Sequence, residues 1–384
     1  MDYNNRNQLK LLNANNFSNY KITKNNQNVN NELVVSFVVC NPKGEQPNII
    51  VGFDNGIIKL FNFTASGKLE CTKILREHTD KINYISFNPI NSNIFSSCSD
   101  DKSLILWNIM NKDNIQFKKR TFDGILGGYV KSTIFSNDGL LLCCCLSCDD
   151  GETVRIIKLY KIMNHNYHNN RNNSNRVSIR LSSTTFIDRG NTIETFCFNP
   201  NNNLLFVGIE SMNDQQSSII IFKLEFDTLI ELSKIKCNGV FSSACNERFY
   251  IFVDTTNSVM NVIDISRQAL SYKNNIKLYK LRKYFSNDVD IIPLFHPRNP
   301  ELLALYDFDN IIIFHISSSG IKCLYKYRHP NKISCASFNF SGNSIVFSSE
   351  NKLVILELKS NIVNNNSLNR RRHTMKMLGN ISIS

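Results

Sequence analysis

Short apolar stretches separated by polar turns recur along almost the whole chain. One kind ends in Asn-Pro or a similar turn: VVSFVVCNP at 34–42, INYISFNP at 82–89, VKSTIFSND at 130–138, IETFCFNP at 193–200, VDIIPLFHP at 289–297 and ISCASFNF at 333–340, with a degenerate copy, GVFSSACNE, at 239–247. Each is followed by a polar turn and an alternating run that closes on a large apolar residue, as in FDNGIIKLFN, SDDKSLILWN and SENKLVILEL. Period-two alternation, dense Ile, Val and Phe, and turn signals about every 8–12 residues predict β-strands throughout. Aligning Phe61, Trp107, Leu159, Phe222, Ile263, Phe314 and Leu356 gives steps of 46, 52, 63, 41, 51 and 42 residues. These steps bracket the roughly 40–45 residues of a four-stranded blade.

Seven such units predict an all-β fold, a seven-bladed β-propeller over residues 34–360. Closing the ring hides strand edges that would otherwise pair with other chains. Residues 10–25, with Leu11, Leu12, Phe17 and Tyr20, are expected to supply a closing strand beside the last blade.

Charge divides the 384 residues unevenly. Of the net +12, residues 1–33 carry +2, residues 163–190 carry +3 and residues 361–384 carry +4, which leaves +3 for everything else. All three segments are rich in Asn and poor in groups that could form a core, so a disordered arm (1–33), an inserted loop (163–176) and a disordered basic tail (361–384) are predicted. The propeller is therefore not expected to be a basic nucleic-acid-binding domain, and any such contact would fall to Arg370, Arg371 and Arg372 in the tail. The first thirty residues lack an apolar leader and no run approaches ~20 apolar residues, so a soluble protein of the nucleus or cytoplasm is expected.

Candidate chemistry is sparse. The 12 cysteines read as reduced, buried thiols, and the single CxxC pair, Cys145 and Cys148, has no second pair to complete a four-ligand zinc site. There is no phosphate-cradling glycine loop, no HExxH and no GxSxG, so neither a cofactor nor an enzymatic activity is expected.

One copy of the repeat is sharper than the rest. Glu77-His78-Thr79-Asp80-Lys81-Ile82-Asn83, then Phe87-Asn88-Pro89, then Ser97 through Asn108 with Asp101 and Trp107 inside it, resembles a WD repeat, with Asn108 standing where the namesake Asp is usual. The resemblance implies that His78, Ser97, Asp101 and Trp107 form a hydrogen-bonded chain that locks one blade, a structural role and not a catalytic one. It also implies a protein-interaction scaffold within a multiprotein complex.

A finer resemblance runs through Arg76-Glu77, Thr79 to Asn83, Ser99 to Ser103, Lys119-Arg120-Thr121, Ser319 to Lys322, Ile333 to Cys335 and Phe338-Asn339. These segments are similar to the WD-repeat subunit shared by COMPASS-type histone methyltransferases and RNA-cleavage complexes. In that family the segment matching 80–83 opens the first full blade, whereas here a blade precedes it. Another stretch, Lys277 to Lys283, resembles the approach to the Arg-Arg-Gly turn of the phosphoinositide-binding propellers of autophagy. It carries Lys283 for the second Arg and Tyr284 for the Gly, so Arg282 and Lys283 are candidate anion contacts and a lipid surface is the alternative partner.

Overall fold

A computed structural model describes residues 19–21, 33–109, 116–121, 129–147, 155–169, 172–187, 191–200, 203–211, 217–239, 242–254, 257–265, 276–285, 289–317, 320–358 and 376–382. These residues form seven antiparallel sheets of four strands, blades one to six spanning 35–75, 82–121, 129–187, 191–237, 242–280 and 292–328 in chain order. The seventh holds 333–357 and 376–382, with Asn19–Lys21 added outside as a fifth strand. The first strand of each blade touches the first strands of the blades on either side, and the seventh touches the first, so the sheets form a closed ring.

The apolar pattern explains the packing. Seven clusters of buried side chains lie between the blades, one at each junction; the junction that closes the ring sets Val35, Val38 and Phe53 of blade one against Cys335, Val346 and Leu353 of blade seven. The middle strands are therefore covered on both faces. Ser103–Asn108, with four consecutive apolar residues, is buried at every position because a neighbouring blade covers each side. The seven aligned positions, Phe61 to Leu356, all lie buried on the third strand of their blades, opposite the second strand.

The Asn-Pro marker has a physical reason. Asn88 sits just past the innermost strand of blade two, where its Oδ1 accepts the N–H groups of Ile90 and Asn91. Its Nδ2 donates to Gly139 O of blade three at 2.8 Å. One amide thus caps its own turn and ties down the next blade. Asn199 donates in the same way to Asn246 O, and Asn246 to Pro300 O, both at 2.9 Å. In blade six a histidine replaces the amide: Nδ1 of His296 accepts from Arg298 N and Asn299 N, and its Nε2 lies against Gly342 of blade seven. A Cβ on Gly342 would stand 1.9 Å from that nitrogen, and one on Gly139 would stand 2.4 Å from Asn88 Oδ1. Both glycines also have φ near +70°, so both places require glycine.

Two expectations need revision. The insertion at 163–176 continues the blade: strands Arg155–Asn169 and Asn172–Ile187 pair down to Asn169 opposite Asn172, a long hairpin in place of a loop. Each added pair extends the same backbone ladder, which polar side chains do not prevent. At the ends of the chain, the fourth strand of blade seven comes from Lys376–Ser382, inside the segment read as a tail. The strand expected from 10–25 does join this sheet, as Asn19–Lys21, but it runs parallel to Lys376–Ser382 on the outer side. Closure thus rests on both ends of the chain. Residues 1–18, 22–32 and 359–375, with Arg370, Arg371 and Arg372, lie outside the described residues.

Candidate functional site

Blade two brings the four predicted residues together. The indole N–H of Trp107 donates to Ser97 Oγ at 2.8 Å, Ser97 Oγ lies 2.8 Å from His78 Nε2, and His78 Nδ1 lies 2.9 Å from Asp101 Oδ2. An indole only donates, so Ser97 Oγ accepts from Trp107, and at the other end the Asp101 carboxylate accepts the proton on His78 Nδ1. Trp107 is buried and stacked on Phe95 with ring centroids 5.7 Å apart.

Residues outside the predicted four complete the network. Ser103 donates to Asp101 Oδ1 at 2.5 Å and lies 3.0 Å from His78 Nδ1, Thr79 N donates to Asp101 Oδ2, and the Lys119 amine stands 3.5 Å from the same oxygen. Burial opposes ionisation of Asp101, but the hydrogen bonds from His78 and Ser103, the histidine charge and the Thr79 amide outweigh it. They hold the carboxyl well below the usual carboxylate range. Both ring nitrogens of His78, both carboxylate oxygens of Asp101 and the Ser97 hydroxyl are engaged within this network. Only the pattern Asp-x-Ser in 101–103 could have marked Ser103 beforehand, since a serine two residues after a turn aspartate commonly closes on it.

The groups still available lie at the rim of this blade. A cleft of about 640 Å³ opens between blades two and three, lined by Lys81, Asn83, Asp100, Lys102, Tyr129 and Lys131. A β-bulge builds part of it. In five blades the innermost strand carries one extra residue after its first buried position, and in blades two and three these residues are Asn83 and Lys131. A bulge re-aims its side chain along the rim. Asn83 then donates to Val130 O at 3.1 Å and Asp100 Oδ1 at 2.7 Å, while Lys131 donates to Ile193 O at 2.8 Å and meets Glu194 at 3.0 Å. Lys81 and Lys102 enter no ion pair among the described residues.

Residues 69–108 match the family model of the WD domain, G-beta repeat. That window holds the locked tetrad and the Asn-Pro turn of blade two, and the other six sheets repeat its strand order. Blade two carries a WD repeat, and the chain folds as a seven-bladed β-propeller. No curated protein matches it in sequence. Solved structures of similar fold include U3-55K, at 11% identity and a TM-score of 0.58 over 84% of this chain and 90% of that one. Another is Sqt1 from Chaetomium thermophilum, at 14% identity and a TM-score of 0.56 over 86% of this chain and 82% of that one. A third is the WD40 repeats of RRP9, at 11% identity and a TM-score of 0.57 over 84% and 88%. At such identities the likeness is one of fold.

Elsewhere in this propeller the predicted residues are scattered. Arg282 and Lys283 are exposed on the turn after the outer strand of blade five, and the Lys283 amine lies 4.7 Å from the centre of the Tyr284 ring. Tyr284, in the place expected of a glycine, packs edge-on against Phe314, so the turn serves the core of blade six. Cys143 and Cys144 are buried and point to opposite faces of blade three, one into each neighbouring cluster. The side chain of Cys145 and all of Cys148 lie outside the described residues. Burial pushes the Cys40 and Cys335 thiols up to about 12, which keeps them protonated at neutral pH. No helix among the described residues is long and apolar enough to cross a membrane.

Proposed function

We propose that this protein is a non-enzymatic scaffold, a subunit of a multiprotein complex, that meets its partners through the propeller rim at blades two and three. One observation carries this reading. The cluster of His, Ser and Asp is closed upon itself in the blade, whereas the uncommitted charged groups beside it line an open cleft. A chromatin-modifying or RNA-processing assembly, and with it a place in the nucleus, is the finer proposal; it rests on the resemblance carried by residues 76–121 and 319–339.

Affinity purification of the full chain from its own cells tests both levels. A stable, stoichiometric set of partner proteins is expected, retained when Arg370, Arg371 and Arg372 are replaced by Gln. Co-purifying methyltransferase or RNA-cleavage subunits would support the finer placement, and coat or ciliary subunits would refute it. The exposed pair Arg282 and Lys283 supports a second reading, binding to phosphoinositide membranes. Vesicle binding that disappears in the Arg282→Ala, Lys283→Ala variant, without protein partners, would put that reading first.

A further inference from the structure

We infer that the cleft between blades two and three is a recognition site for an acidic peptide segment bearing a phosphorylated serine or threonine, a partner class that deepens the scaffold reading and rests on it. Two cations are uncommitted there. Lys81 precedes the first buried position of the innermost strand, and Lys102 stands in the turn between the second and third strands. That turn is rigid: Lys102 has φ of 63°, and Asp101 beside it accepts the Ser103 amide and hydroxyl on Oδ1 and His78 and the Thr79 amide on Oδ2. The buried tetrad thus fixes the backbone from which Lys102 and Asp100 reach the cleft, so the lysine is held at the rim with little backbone freedom to lose on binding.

The remaining lining selects the ligand. Lys131 is anchored by Glu194 and Ile193 O, and one oxygen of Asp100 by Asn83, which leaves the second carboxylate oxygen of Asp100 as an acceptor among the cations. A dianionic phosphate between Lys81 and Lys102 gains two charge-assisted contacts. Asp100 then accepts a backbone N–H of the same segment, a donor that every peptide residue but proline supplies. A nucleic-acid strand brings a phosphate at every nucleotide and no such regular backbone donor for Asp100. Chemistry favours a peptide over RNA.

The test uses the full chain and three fluorescent probes: an acidic peptide with one central phosphoserine, the same peptide with serine, and a single-stranded RNA of equal charge. The phosphopeptide is expected to bind at least about 10-fold more tightly than its serine counterpart, and more weakly as salt rises. Lys81→Gln with Lys102→Asn should weaken it by about 10-fold or more; asparagine tolerates the left-handed backbone at 102, and an unchanged melting temperature confirms the fold. Lys102→Arg alone should keep binding. Equal affinity of the two peptides, no response to the double variant, or tighter binding of the RNA would each overturn the proposal. The scaffold reading fails separately. Partners that stay with the double variant, while the wild-type chain ignores the phosphopeptide, overturn the cleft and leave the scaffold standing; phosphopeptide binding by a chain that recovers no partners does the reverse.

Discussion

His78 and His329 stand at the same place in blades two and seven, each four residues before the first buried isoleucine of the innermost strand, in EHTDKIN and RHPNKIS. Their surroundings differ completely. In blade two the ring bridges Ser97 and Asp101. In blade seven Phe347 takes the position of Ser97, Leu356 that of Trp107, and the turn that held Asp101 is one residue shorter. That shorter turn puts both Glu350 and Asn351 at positive φ, the tight two-residue hairpin form. His329 is left with one side-chain hydrogen bond, to Tyr327 at 2.8 Å, and an edge-on contact with Phe347 at 5.1 Å. One register position can thus be secured by a directed polar chain or by aromatic packing. The polar chain needs four residue types in register and fixes the rim turn; the packing needs only bulk.

The largest test of that difference is Trp107→Ala, which should lower the unfolding free energy by about 3–5 kcal/mol, through lost ring packing and through a Ser97 left without its donor. Leu356→Ala removes packing alone and should fall lower in the roughly 2–5 kcal/mol range of such truncations. Urea unfolding of both variants checks this, and a loss below about 1 kcal/mol for Trp107→Ala would remove the tetrad from the stability of the blade. Next in size, His78→Ala leaves Asp101 buried without its main partner and should cost about 3 kcal/mol. His329→Ala loses one hydrogen bond and an edge contact, about 1–2 kcal/mol. Equal losses would erase the distinction between the two blades.

How far the sequence shows these things depends on the range over which each is decided. The strand–turn rhythm and the bulky residue on each third strand are local patterns, and they suffice for seven blades. The tetrad is legible because its four members fall within thirty residues of one blade. The cleft is not legible, since Lys81 and Lys102 meet Tyr129 and Lys131 only once blades two and three are side by side. Closure by Lys376–Ser382 is hidden for a related reason: KMLGNIS has only three apolar residues, broken by Gly379 and Asn380, and follows an Asn-rich basic stretch, while a sheet edge recruits backbone groups whatever the side chains.

Smaller effects are expected from the ties between blades. Asn88→Ala removes both the turn acceptor and the donor to Gly139, and should cost about 1–2 kcal/mol in the same unfolding measurement. Asn41 is the matching residue of blade one, where Oδ1 caps Lys43 but Nδ2 finds no acceptor. Asn41→Ala should therefore cost less, under about 1 kcal/mol. A larger loss there than at Asn88 would show that the cap, and not the bond between blades, does the stabilising.

The smallest effect is set by pH and again separates blade two from blades six and seven. Burial pushes His296 and His329 below the usual histidine value; the Gly342 backbone opposes it at His296 and Glu350 at His329, while Arg298 and Lys352 add to it. At His296 the geometry agrees, because Nδ1 accepts two amides only while it is unprotonated. Above a pH of about 6.5 both rings are neutral whether the chain is folded or not, and their contribution is complete. As pH falls the unfolded chain takes up protons that the folded chain refuses, so stability declines until the folded values are passed. Asp101 in blade two behaves otherwise: its carboxyl is lowered on folding, so its contribution is full above the ordinary carboxylate range near pH 4 and is lost only in stronger acid. The decline below about pH 6.5 should accordingly shrink in His296→Asn, which restores the amide found in blades two, four and five and cannot titrate. Melting curves from pH 7.5 to 5 decide the matter, and an unchanged slope in that variant would mean that the histidine latch of blade six is not what acid opens.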